Sequence, residues 1–111
     1  MPSDILNIEL SFEGMERGKT CTISKVKIDK DQIPASTKKV SLVLEDVDLL
    51  NLPHGIHFFE FENSDIVLEN EFKIMPLTPP PGKSHHYRLT ARAFDSKHRI
   101  VGVGTVIRQF P

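Results

Sequence analysis

The sequence predicts an all-β protein, an antiparallel β-sandwich with little helix, on three observations. Apolar and polar residues alternate in short runs, as at Leu6, Ile8, Leu10 and Phe12, and a period of two marks a strand with one buried face. Clusters of Gly, Pro, Asn and Asp separate these runs at short intervals, as turns separate the strands of a sandwich. No window holds a helical period beyond a turn or two, so the crossover helices of an α/β fold are not expected. The 111 residues suit a single domain over residues 1–111.

Residues 6–12 read as the first strand, ended by a turn between Gly14 and Gly18. Residues 20–28 are also β-prone, but their apolar positions switch from odd (Cys21, Ile23) to even (Val26, Ile28), which predicts a bulge or two short strands. Residues 29–39 are polar and contain Pro34, so they read as a connection. In residues 40–44 both parities carry apolar side chains, the pattern of a strand covered on both faces, and this run is the expected centre of the sheet. Residues 49–55 read as a Leu-rich, Pro-containing loop, residues 56–61 as a strand, 62–65 as a turn, 66–68 as a short strand and 70–77 as an extended segment.

Pro79, Pro80 and Pro81 then stiffen a loop that turns at Gly82 and Lys83. Beyond it Tyr87, Leu89, Ala91 and Ala93 share one parity and Arg88, Thr90 and Arg92 the other, so His85 and Tyr87 are expected to point one way and His86 the opposite way. A turn at residues 95–97 leads to a last strand over residues 98–107, where Gly102 and Gly104 permit close approach of a neighbour.

Composition excludes several classes of function. Apolar residues make up 39% and charged residues 26% of the chain, with no continuous apolar run long enough to span a bilayer. The N-terminal residues place acids among alternating apolar side chains rather than a basic start before an apolar block, so a cytoplasmic location is expected. Cys21 is the one cysteine, which rules out an internal disulfide and Cys-pair metal motifs. Lys and Arg number 14 against 15 Asp and Glu, a net charge of −1, so no overall field draws nucleic acid and an anion site must be local.

The chemistry-bearing residues gather at strand ends. Asp46 and Asp48 follow one strand, His57 opens the next, and His85 and Tyr87 open another. At the rim of a sandwich these side chains can share a site, in which imidazoles, a phenol and the loop amides donate to an anion and an aspartate fixes a histidine tautomer. The plainer alternative is a set of unrelated, solvated rim residues. A metal is not favoured, since His54 and His57, like His85 and His86, differ in parity and would turn their rings to opposite faces. No nucleophile elbow or oxyanion-hole pattern accompanies the histidines, so an enzyme is not expected.

Three stretches in order, IPASTKKVSLVLEDVD, HGIHFFEFEN and PPPGKSHHYRLTARAFD, resemble the phosphatidylethanolamine-binding protein family, most nearly its bacterial and archaeal Raf-kinase-inhibitor-like branch. In that family a strand ends in D-P-D-A-P, an H-W pair opens the next, and a G-x-P-P-x-G loop runs into H-R-Y. The resemblance puts Asp46 and Asp48 at the two aspartates, His57 at the histidine of H-W, and His85 and Tyr87 at the ends of H-R-Y. Val47, Phe58 and His86 stand where the family has proline, tryptophan and arginine, and the family's long insert before the final strand has no counterpart. The resemblance implies a small cavity for a phosphate-like anion or a phospholipid head group, bound without turnover and without a cofactor or metal, with Asp46, Asp48, His57, Gly82, Lys83, His85 and Tyr87 as ligand-binding residues. It also implies a homodimer, and as the alternative function a protein-interaction module, kinase-inhibitor-like or self-associating.

Overall fold

Two sheets face each other around one apolar core in the computed structural model, which describes residues 4–111. The larger contains β1 (Asp4–Ile5), β4 (Lys39–Asp46), β5 (Leu52–Glu60), β7 (His85–Phe94) and β8 (Ile100–Phe110), in the order β1-β8-β7-β4-β5. The smaller contains β2 (Glu9–Ser11), β3 (Lys25–Ile28) and β6 (Ile66–Glu69), in the order β2-β3-β6. All pairings are antiparallel except the short parallel one between β1 and β8. The described residues form no α-helix, only single 3₁₀ turns at Lys30–Gln32 and Val47–Leu49. The expected sandwich is therefore the observed fold.

The core is built from the inward parity of each strand. Val40, Leu42 and Leu44 of β4 and Tyr87, Leu89, Ala91 and Ala93 of β7 are fully buried, and they face Val26, Ile28 and Ile66 of the smaller sheet. The centre of the larger sheet is β7, with β4 beside it, so the expectation for residues 40–44 is displaced by one strand. On the outward parity of β4, Ser41 is buried, and the register sets it between Phe58 of β5 and Arg92 of β7.

Three other expectations are corrected. Residues 6–12 are not one strand: β1 belongs to the larger sheet and β2 to the smaller, and the chain crosses between them while Leu6, Ile8 and Leu10 stay buried. The alternation reports burial on every second residue, which the crossing preserves, and carries no information about the pairing partner. Gly104 permits the crossing, because a Cβ there would lie 2.0 Å from the Leu6 carbonyl oxygen. Gly104→Ala is expected to cost about 1–3 kcal/mol by forcing the two backbones apart, read as a lower urea midpoint.

Residues 49–55 are not all loop. A tight turn with Leu50 and Asn51 at positive φ leads into β5 at Leu52. Pro53 is tolerated because β5 is an edge strand, where a missing N–H need not break a ladder. Residues 70–77 hold only an isolated bridge between Thr22 and Lys73, yet Phe72, Ile74 and Leu77 are buried there.

The hairpin between β7 and β8 turns on Asp95. Its Oδ1 accepts the Lys97 and Arg99 amides at 2.9 Å each, and its Oδ2 accepts Arg99 Nε at 2.8 Å. The Arg99 amide, then the Arg99 side chain and the Lys97 amide, hold the carboxyl below its usual range against the opposing effect of burial. A depressed carboxyl stabilises the fold above its unfolded pKa of about 3.9 and loses that contribution as pH falls through the folded value. The gap in melting temperature between the wild type and Asp95→Ala is thus expected to be full near neutrality and to close below about pH 4.

Candidate functional site

Register brings the acidic end of β4 against the start of β7. Asp46 pairs with Tyr87 and Glu45 with Arg88, and the inward parity of both strands sends Asp46, His85 and Tyr87 to one place. His85 Nδ1 lies 2.7 Å from Asp46 Oδ2. Asp46 Oδ1 accepts the Asp48 amide at 3.0 Å, which ties the carboxylate to the 3₁₀ turn that follows β4. Asp46 is 1% exposed and the His85 side chain 13%. A carboxylate accepting from Nδ1 fixes the ring tautomer and leaves Nε2 without its proton.

Tyr87 packs within this group, its ring centroid 6.4 Å from that of His85. Burial first, and then the nearby Asp46 carboxylate, push its phenol well above the ordinary value, so it remains protonated. Although Asp46 is close enough to be felt electrostatically, the hydroxyl meets no acceptor at hydrogen-bond geometry among the described residues. An unmet buried hydroxyl lowers stability, so Tyr87→Phe is expected to leave the melting temperature unchanged or raise it.

Asp48 and His86 lie on the outer side of the same rim. Asp48 Oδ2 accepts the His86 amide at 2.5 Å and lies 3.0 Å from His86 Nδ1. The His86 amide and then its ring hold the Asp48 carboxyl below the usual range. His86 thus leaves on the face opposite His85 and Tyr87, the parity read from the sequence.

His57 is not part of this group. It faces Leu42 in the register, four residues from Asp46 and about 13 Å away at ~3.3 Å per residue. Its ring stacks on Phe72 at 5.6 Å and lies 5.4 Å from that of Phe59. Gly82 and Lys83 are exposed in a turn closed by the Lys83 amide on the Pro80 carbonyl at 3.0 Å, and neither shares a hydrogen bond with Asp46, His85 or Tyr87.

The histidine that does join the site is His54. It is 4% exposed, its ring meets that of Tyr87 edge-on at 5.5 Å, and its Nδ1 lies 3.3 Å from the Met75 carbonyl oxygen. Parity alone hides it, since His54 shares even parity with Ile56 and Phe58, which are 57% and 67% exposed. Between Leu44, opposite Gly55, and Glu45, opposite Pro53, the register skips one residue of β5, and that residue is His54. A bulge of this kind re-aims one side chain. The available signal was the Pro53–His54–Gly55 run: a strand residue between proline and a glycine whose missing Cβ makes room for Ile74, the Lys73 carbonyl and Phe72.

The sandwich has a phosphatidylethanolamine-binding-protein-like fold. The chain superposes on the crystal structure of a candidate phosphatidylethanolamine-binding protein homolog from Chlamydia trachomatis with a TM-score of 0.63, at 16% identity, over 98% of this chain and 99% of that one. The likeness shows the fold, and it runs through nearly the whole of both chains, so a sandwich without the long insert has a counterpart of the same extent. No protein-family model and no curated protein matches the sequence.

Proposed function

We propose that this protein binds a phosphate-bearing small molecule or a phospholipid head group at the rim site of Asp46, His85 and Tyr87, without turning it over. The observation that carries the reading is the 2.7 Å contact between Asp46 Oδ2 and His85 Nδ1. It commits one nitrogen of a nearly buried ring to a fixed acceptor, and Nε2 donates to an anion when the ring is protonated. The Tyr87 hydroxyl supplies a second donor without a partner of its own. A cytoplasmic setting, where phosphate esters are abundant, agrees with the sequence reading. Amide resonances of residues 82–87 are expected to move on addition of millimolar phosphoethanolamine, and the movement is expected to vanish in His85→Ala. Unmoved resonances in the wild type defeat the proposal.

A second reading, an interaction module that self-associates or binds a protein, has its own observation. Leu52, Ile56 and Phe58 are 43%, 57% and 67% exposed along edge strand β5, and Leu50 is 98% exposed in the preceding turn. Edge strands with outward apolar residues are places of strand addition and docking. If Phe58→Ser lowers the mass measured by light scattering while anion binding persists, that reading gains independently of the rim site.

A further inference from the structure

We infer that a second copy of this chain adds to the open edge of β8, antiparallel and two-fold about Ile107, so that two larger sheets join into one continuous sheet. The inference is independent of the rim site and of the apolar residues on β5.

β8 is longer than the strand that covers it. β1 pairs only with Gly102 and Val103, and after Ile5 the chain leaves for the smaller sheet past Gly104. The Leu6 amide donates to the Val103 carbonyl at 3.0 Å, so the backbone groups of Val103 point away from β7. Along an extended strand every second residue turns its N–H and C=O to the same side. Those of Thr105, Ile107 and Gln109 therefore point away from β7 as well. Among the described residues none of these three amides has an acceptor, and the one contact to their carbonyls is from Arg108, whose Nη1 donates to the Ile107 oxygen at 2.9 Å. A carbonyl oxygen has two lone pairs and keeps one free. Beside Thr105 the departing chain leaves an open groove of about 300 Å³, lined by residues 5–8 and 103–106.

The free stretch is its own complement. It is bounded by β1 at Val103 and by the end of β8 at Phe110, and Ile107 stands at its middle. When two copies run antiparallel about that residue, Ile107 faces Ile107, Thr105 faces Gln109 and Val106 faces Arg108. Each outward residue then meets an outward residue, and its N–H and C=O both find partners. Moving the axis to Thr105 sets Ile107 against Val103, which β1 already occupies, and moving it to Gln109 sets Ile107 against Pro111, which has no N–H. In the centred register no like charges meet, and the two Ile107 side chains, 48% exposed in the single chain, pair on the outer face. A contact of this kind uses one patch twice and closes on itself.

Residues 105–109 also lack what blunts an edge strand: they include no proline, lysine or acidic residue, and their pairing with β7 runs without a bulge. The opposite edge has such features. β5 carries Pro53 and the bulge at His54, and the His54 carbonyl is taken by the Met75 amide at 2.7 Å.

The test is sedimentation velocity over a range of concentrations on the wild type, Ile107→Lys, Ile107→Glu and an equal mixture of the two variants. The wild type is expected to approach twice the single-chain mass as concentration rises. Each variant alone is expected to associate about tenfold or more weakly, since like charges then face each other on the axis, and the mixture to recover the dimer. A wild type that keeps the single-chain mass up to millimolar concentration overturns the inference, as does a dimer that survives both variants or a mixture that stays apart. Phe58→Ser is expected to leave the dimer intact; a dimer lost there belongs to β5 and overturns the inference too. Should either Ile107 variant fail to fold, amide hydrogen exchange in the wild type decides. The Thr105, Ile107 and Gln109 amides are expected to exchange about tenfold or more slowly in concentrated than in dilute solution, and unchanged exchange overturns the inference. None of these readings depends on anion binding, so the rim-site proposal stands or falls separately.

Discussion

Phe72→Ala is expected to lower the unfolding free energy by about 3–5 kcal/mol, the usual cost of emptying a fully buried aromatic site. Phe72 has no exposed surface, stacks on the His57 ring, and lies on an irregular segment that closes the core beneath β5. Its amide neighbourhood is committed as well, since the Ile23 amide donates to the Phe72 carbonyl at 3.0 Å and the Ile74 amide to the Cys21 carbonyl at 2.9 Å. The void cannot collapse without moving that segment off β5. Against a total stability of about 5–15 kcal/mol for a domain of this kind, the loss is a large fraction. Differential scanning calorimetry is expected to show the melting temperature falling by about 10–20 °C. A fall of only a few degrees would mean that residues 70–77 pack loosely.

The second large effect is on the site. Asp46→Asn keeps the shape of the side chain but offers one acceptor where the carboxylate serves two donors, His85 Nδ1 and the Asp48 amide. One of those donors then faces an NH₂ group, in a place where Asp46 is 1% exposed and water cannot substitute. A charge-assisted hydrogen bond is worth about 1.5–3 kcal/mol, so a loss of about tenfold or more in phosphate affinity is expected from a His85 ring that no longer holds its tautomer. Far-ultraviolet circular dichroism should be unchanged, since the β4–β7 ladder does not depend on this side chain. Undiminished phosphate binding in Asp46→Asn would show that the dyad does not organise the site.

What the sequence made legible follows from what alternation can report. The parity of β7 was readable because residues 85–93 pair with β4 and β8 without a bulge, so the inward set Tyr87, Leu89, Ala91 and Ala93 runs true from the rim to the core. Asp46 was readable for the same reason, standing directly opposite Tyr87. His57 opens an apolar run in the sequence, but the strand begins five residues earlier, at Leu52. Pro53 made those residues look like loop, and only an edge position, a property of the assembled sheet, makes a proline there harmless. His54 was hidden twice, by the apparent loop and by a bulge that inverts its parity. The crossing at residues 6–8 was hidden because a buried residue looks the same whichever sheet it leaves or joins.

The histidines also provide the most direct test, because the chain has five of them and they stand in different environments. Each ring gives one Cε1–Hε1 correlation that can be followed as phosphate is added. The His85 and His54 signals are expected to shift along one saturation curve, while those of His57, stacked on Phe72, and His98, at the far turn, stay in place. Shifts at His57 without shifts at His85, or no saturable shift at any histidine, would contradict the proposed site.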